Sequence, residues 1–260
     1  MKKFFIIRSL TLCTIFLSSV LFAGNELKIG MELSYPPFEM TDKHGKPDGI
    51  SVGIAEALGN ELGRPVVIKN IPFDGLIPAL KTGSIDLIIS SLTVNDERKK
   101  SIDFSDPYVK TGLALLININ AKIKDENDLN KKGVRIAVKK GTTAHAWAVK
   151  NAPKAKILTL DKDATAVLEV VQGKADAFIY DQMSVYKYWI KNRQTTKAVL
   201  KAFQQESWAV GVRKGNDELL KKVNTFIHDF GMRKGFDNLG TKYLGEEKKT
   251  FQKLGVDFIL

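Results

Sequence analysis

The sequence is short of several residues on which a function could rest. Its 260 residues include one cysteine, Cys13, and three histidines, His44, His145 and His228. A lone thiol closes no disulfide within the chain and builds no cysteine metal cluster. The histidines are far apart and share no ligand spacing, so neither a metal site nor a cofactor is expected. No Walker or dinucleotide glycine pattern occurs. Repeats of about 20–50 residues and low-complexity tracts are absent too, which excludes solenoids and propellers. Acidic residues are in deficit, 29 against 40 Lys and Arg, for a formal charge of +11. No segment combines clustered Arg and Lys with interleaved aromatics, so a nucleic-acid groove is not expected. The lysine doublets, Lys139 and Lys140 among them, read as solvated surface.

Long apolar runs are also missing, with one exception at the start. Lys2, Lys3 and Arg8 precede a run from Leu10 to Phe22, and Ala23 and Gly24 offer small residues for a cut. This describes a cleavable secretory signal over residues 1–23, too short and polar-flecked to span a bilayer. Cys13 lies inside it behind Leu12, not behind the small residue a lipoprotein site would want. Export to a periplasm follows, and cleavage removes three of the basic residues and no acidic one. The remainder, with the chain 44% hydrophobic and 27% charged overall, is enough for one large or two modest domains without a disulfide.

Beyond the signal, short apolar runs alternate with amphipathic stretches. Strands are expected at Leu27–Met31, Val66–Ile68, Ile85–Ile89, Leu113–Ile117, Val134–Val138, Ile157–Leu160, Ala177–Tyr180 and Trp208–Val212. Helices are expected at Ile50–Leu62, Asp74–Leu80, Thr143–Lys150, Ala164–Gln172, Gln182–Lys191 and Asp217–Phe230. This alternation predicts an α/β protein of mostly parallel sheets flanked by helices. The strand–helix order of Leu27 to Asp86 restarts over Val134 to Asp181, which suggests two lobes joined through Ser105–Gly112 with a cleft between them. Ligands of open α/β sheets bind beyond the carboxyl ends of the strands.

Those ends carry the informative residues. After the first strand come Glu32, Ser34 and Tyr35, then Pro36 and Pro37, which predict an extended loop outside any ladder. After the third come Ser90, Ser91 and Thr93, then Arg98, whose planar guanidinium suits a carboxylate. In the second half, Gly141 permits a tight turn into a helix whose first amides, at Thr142 and Thr143, can hold an anion. Asp181 ends another strand and suits an ammonium group. Singly each is weak, since an arginine is usually surface and such an aspartate usually a helix cap. Together, from opposite lobes, they fit a small zwitterion, an α-amino acid.

With these residues in place, the sequence resembles the periplasmic solute-binding proteins of ABC importers for polar amino acids. The likeness covers the whole chain after the signal. It is carried by Gly30, Tyr35 to Phe38, Phe73 to Pro78, Asp86 to Thr93, Glu97 and Arg98, Phe104 to Tyr108, Gly141 to Thr143, Gly173 to Asp176, and Asp181. The resemblance implies a two-lobed fold: lobe 1 over 24–109, lobe 2 over 110–207, and a return to lobe 1 over 208–260. The second crossover is expected near Gln205–Trp208. It implies that Arg98, with Thr93 and the Thr143 amide, binds an α-carboxylate. Asp181 and the Ser90–Ser91 region would bind the α-amino group, while Tyr35 and Phe73 sandwich the side chain and Glu32 faces its far end. Asp176 reads as a structural turn residue. A membrane permease is the implied partner, and the protein itself is expected to be a monomer.

Glu32, as an acid beside two aromatic faces, favours a cationic ligand: lysine, arginine or ornithine. Ala144 departs from that pattern, because cationic binders of the family carry a hydrogen-bonding Gln there. Glutamine or another polar amino acid is the alternative. A rival of another class is an enzyme like the cyclohexadienyl dehydratases, in which the position of Asp181 looks like Glu. A sensor domain is not expected, because no second apolar span follows. Gly49 to Gly53 matches the G-x-S-x-G nucleophile pattern, but a turn precedes it where an elbow needs a strand. Trp147 and Trp189 read as packing residues.

Overall fold

The computed structural model describes residues 26–254; the signal expected at 1–23, with Cys13, lies outside them. The strands are β1 (Leu27–Met31), β2 (Met40–Thr41), β3 (Pro47–Asp48), β4 (Val66–Asn70), β5 (Leu87–Ile88), β6 (Ile102–Asn118), β7 (Arg135–Lys139), β8 (Lys156–Leu160), β9 (Ala177–Asp181) and β10 (Thr196–Arg213). The helices are α1 (Ile50–Leu62), α2 (Leu76–Thr82), α3 (Asp96–Lys99), α4 (Thr143–Asn151), α5 (Asp163–Val171), α6 (Gln182–Lys191), α7 (Asp217–Met232) and α8 (Gly235–Leu254). The chain is two-lobed. In lobe 1, β1 lies between β4 and β5, parallel to both. In lobe 2, β7 lies between β8 and β9 in the same way. The restart read from the sequence is therefore a repeated strand order.

Two strands are far longer than the sequence suggests. Leu113–Ile117 is only one end of β6, and Trp208–Val212 only one end of β10. These two pair antiparallel from Ile102 opposite Arg213 to Asn118 opposite Thr196, with irregularities between Val199 and Gln204 and around Ala209. β10 pairs with β5 in lobe 1, and β6 pairs with β9 in lobe 2. The lobes are thus stitched by one two-stranded ribbon whose middle holds Gly112 opposite Gln205. Polar and proline residues such as Asp106 and Pro107 break the apolar pattern along it, so periodicity alone reads two short strands.

Each sheet is buried on both faces, as parallel sheets are. In lobe 1, Ile54 and Leu58 of α1 with Val223 and Phe226 of α7 cover one face, and Leu76 and Leu80 of α2 cover the other. In lobe 2, Ala144 and Ala148 of α4 oppose Val170 of α5 and Val185 of α6. Trp147 and Trp189 pack at the margins of these clusters. Asp176 accepts two bonds from the Arg135 side chain and one from its amide, at the end of lobe 2 away from the cleft.

Between β1 and α1 the proline pair does not make the extended loop expected of it. Tyr35 and Glu39 bond each other's backbones at 2.8 and 3.0 Å, closing a tight turn over a cis Pro36–Pro37 bond. Pro37 and Phe38 carbonyls then receive the Ile50 and Ser51 amides. Gly49 makes that contact feasible: its φ is +121° and an added Cβ would lie 2.4 Å from the Phe38 oxygen. Gly49 caps α1 and Ser51 lies inside it, so G-x-S-x-G forms no nucleophile elbow here. Gly49→Ala is expected to lower stability by more than about 1 kcal/mol, read as a reduced denaturant midpoint at unchanged m-value.

Candidate functional site

The carboxyl ends of β1, β5, β7 and β9 converge on one cavity between the lobes, with about 440 Å³ of space that is partly open to solvent. All ten residues singled out from the sequence line it: Glu32, Tyr35, Phe73, Ser90, Ser91, Thr93, Arg98, Thr142, Thr143 and Asp181. Sequence reasoning did not single out Glu39, Leu113, Lys139, Tyr180, Glu206 and Trp208, which line it too.

Arg98 sits on the single turn of α3, capped by Asn95, whose side chain accepts the Arg98 amide at 2.8 Å. Its guanidinium is buried and donates to the Thr93 carbonyl at 2.6 Å and, across the cleft, to the Gly141 carbonyl at 3.1 Å. Neither partner is a carboxylate, so the charge itself is left to be met by another group. Burial lowers its pKa to about 10, against the nearby Glu206 charge that raises it. Opposite lies the start of α4, capped by Thr142, whose hydroxyl accepts the His145 amide at 3.2 Å. A nine-residue helix directs its free amides and positive dipole end to this spot.

Asp181 carries two duties on the lobe-2 side. One oxygen accepts the Ser184 amide at 3.0 Å as the cap of α6, and the other accepts the Tyr35 hydroxyl at 2.5 Å. Ser184 also donates to the Tyr35 hydroxyl. Burial raises the Asp181 pKa, against the bonds that lower it. The carboxylate retains lone pairs for a further donor. Tyr35 stacks on Phe38 at 5.4 Å between centroids, while the Phe73 ring lies beneath the Arg98 and Lys139 cations. Within the protein, then, the two rings expected to sandwich a side chain each have another neighbour.

The main surprise is Lys139. The sequence suggests a surface lysine, but its side chain is 2% exposed and ion-paired with Glu32. The pair removes the premise of an unpaired acid facing the cleft. Lys139 ends β7 just as Asp181 ends β9, so the strand-end rule, applied to every polar residue, would have found it. Lys140, the other half of the doublet, is exposed and reaches Asp74 across the cleft at 2.9 Å.

Glu39 is the second surprise, a carboxyl 1% exposed. It accepts the hydroxyls of Ser51, Ser90 and Ser91 at 2.6, 3.2 and 3.1 Å. Ser90 in turn accepts the Glu32 amide, and Ser91 holds a left-handed φ of +48°. Glu39 thereby fixes the hydroxyl corner of the site from below. Among the described residues no cluster of three or more His, Cys, Asp or Glu suits a metal ion.

The family model for bacterial extracellular solute-binding proteins, family 3, matches residues 27–246. The chain belongs to that family. It is 32% identical over 223 residues to the L-cystine-binding protein TcyJ of Escherichia coli, covering 85% of this chain and 83% of that one. It is 30% identical over 255 residues to the L-arginine-binding protein of Pseudomonas aeruginosa, covering 94% and 96%. Among solved structures it is similar to an ancestral amino acid-binding protein described as a precursor of cyclohexadienyl dehydratase. There the TM-score is 0.78 at 39% identity, over 88% of this chain and 99% of that one. The two-lobed fold and the kinship expected from the motifs thus stand.

Burial pushes the Glu39 pKa up to about 8, against the three hydroxyls and Lys139, which lower it. An unfolded glutamate has already lost its proton by about pH 5. Between there and pH 8 the folded state holds the extra proton, so this group's stability contribution falls as pH rises, by up to about 1.4 kcal/mol per unit. Glu39→Gln is expected to flatten that slope and to raise the melting temperature near pH 8 relative to wild type. Parallel pH–melting curves for the two proteins would refute a protonated Glu39.

Proposed function

We propose that this protein captures a free polar L-amino acid outside the cytoplasm and presents it to the permease of an ABC importer. The observation that carries the reading is Arg98, buried between two carbonyls and facing the start of α4, with Asp181 across the cavity. A carboxylate belongs on the first and an ammonium on the second, which is the α-end of an amino acid. The family is extracellular by its own description, and a cleaved signal over 1–23 with a periplasmic, monomeric product agrees with that. The named relatives are binding proteins, and the dehydratase-related neighbour is itself described as an amino acid-binding protein. Both support binding without chemistry.

Capture works by closure. Among the contacts that cross the cleft are Tyr35 with Asp181, Glu32 with Lys139, Arg98 with the Gly141 carbonyl, and Asp74 with Lys140. We place the division of lobes at 24–109, 110–207 and 208–260, with bending in the β6–β10 ribbon. A ligand that engages both lobes stabilises the closed state by its differential affinity for that state.

The far end of the cavity sets the ligand class. Glu32 and Lys139 together present an acceptor and a donor. A side chain carrying both complements, the amide of glutamine or the second ammonium–carboxylate end of cystine, satisfies each. A purely cationic side chain has to share Glu32 with Lys139 and leaves the lysine less well paired, at a cost. The cationic reading drawn from Glu32 is therefore placed second; the arginine-binding relative keeps it in view.

Arg98→Ala is expected to weaken binding by at least ~2 kcal/mol, since a ligand carboxylate would lie unpaired. Unchanged affinity by calorimetry would remove the site assignment. For ligand class, refolded protein is to be melted against the common amino acids and cystine; a ligand at a thousand times its Kd adds ~4 kcal/mol. Lys139→Met, which frees Glu32, is expected to shift preference from glutamine or cystine toward arginine and lysine. A variant with the wild-type ranking would show that the ion pair does not read the side chain.

A further inference from the structure

Glu206 has no part in the site read from the sequence, yet it contacts the same groups. It lies on β10 within the ribbon that joins the lobes, opposite Thr111 of β6. One carboxylate oxygen accepts the Thr93 hydroxyl at 3.1 Å, and the other accepts the Gln204 amide at 2.9 Å. Thr143 and the Arg98 charge lie near enough to lower its pKa, although no ion pair joins it to Arg98. Thr93, Thr143 and Arg98 are the three residues assigned above to a ligand's α-carboxylate, so the inference rests on that reading.

We propose that the Glu206 carboxylate is a resident substitute for the ligand's carboxylate: while the cleft is unliganded it holds the Thr93 hydroxyl beside Arg98, and it competes with the amino acid for that place. The competition follows from geometry and charge. Thr93 has one hydroxyl proton, which can point at one acceptor at a time. Arg98 can neutralise one carboxylate fully, not two. An incoming ligand must therefore displace Glu206 or meet it in its neutral form. Partial burial already raises the Glu206 pKa, against the hydroxyls, the Gln204 amide and Arg98, which lower it. A second anion alongside raises it further, because like charges at close range do not both ionise easily.

Binding is then coupled to proton uptake, and affinity falls as pH rises through the Glu206 titration. Apparent affinity is reduced by the fraction of protein whose anion site is blocked, and removing the block restores it. Glu32, Glu39, Asp181, Lys139 and Tyr180 share the cavity, so the diagnostic quantity is the difference between wild type and a Glu206 variant at each pH.

The experiment is calorimetric titration of the refolded full-length mature protein and of Glu206→Gln with L-glutamine, L-arginine and L-cystine, at pH 6, 7 and 8 and in two buffers of different ionisation enthalpy. Glu206→Gln keeps the acceptor for Thr93 and removes the charge. It is expected to bind at least about fivefold more tightly at pH 8, to approach wild type at pH 6, and to lose the proton uptake seen in wild type. Glu206→Ala also removes the charge and is expected to share the gain should the glutamine variant fail to fold. Weaker binding by both variants would overturn the proposal, because it would make Glu206 a partner of the ligand's ammonium or a support for Arg98. Equal affinity at every pH overturns it too. Arg98→Ala separates the two levels: loss of binding there with no gain in Glu206→Gln ends only the substitute role. Retained binding in Arg98→Ala, or no binding by wild type and Glu206→Gln alike, ends both.

Discussion

The buried guanidinium of Arg98 is the constraint from which the rest of the cleft follows. A guanidinium stays charged across the biological range even when burial lowers its pKa to about 10, and an unpaired buried charge is expensive. Two carbonyls satisfy two of its N–H groups, but carbonyls carry no net charge. Something anionic has to sit within reach: an acid of the protein in one state, and an anion from outside in the other. The start of α4 adds positive dipole to the same point instead of relieving it. On the reading proposed here, a fold that buries this group at a junction between two lobes ties lobe closure to the presence of an anion.

The remaining charges show the same economy. Glu32 and Lys139 neutralise each other across the cleft, Asp181 is held by Tyr35 and Ser184, and Glu39 is surrounded by hydroxyls. The supporting backbone is rigid where it must be: Asn95 caps α3 under Arg98, Thr142 caps α4, and Asp181 caps α6. The β6–β10 ribbon, by contrast, carries the register irregularities and Gly112.

Much of this was legible in the sequence, and what was not has definite causes. The paired strand–helix order and the residues at strand ends place nine of the ten expected residues around one cavity, because side-chain chemistry at the carboxyl end of a parallel strand is read directly from order, and the tenth, Phe73, came with the family resemblance. The length of β6 and β10 was hidden because a ribbon crossing between lobes passes from core to cleft and loses its apolar period. Lys139 was hidden by Lys140: a doublet looks like surface, yet neighbours on a strand point to opposite sides, and one of the two had to face the cavity. Glu39 was concealed by the expectation of an extended loop after the proline pair, whereas the tight turn from Tyr35 to Glu39 points the acid inward at Ser51, Ser90 and Ser91.

A zwitterion brings a negative and a positive group together and so adds no net charge of its own to the cavity. Glu206 faces Arg98 on one side, and the Tyr35 hydroxyl donates to Asp181 on the other. On the proposed reading, these two contacts stand where an α-carboxylate and an α-ammonium would go. Exchanging both at once adds one negative and one positive group, which leaves the proton proposed at Glu206 as the net change. A simple anion would satisfy Arg98 and leave Asp181 with Tyr35, so that only one lobe is engaged. A simple cation would do the reverse. Only a molecule carrying both groups a few bonds apart makes contacts on each side of the cleft, and only such a molecule gains from the cleft being closed.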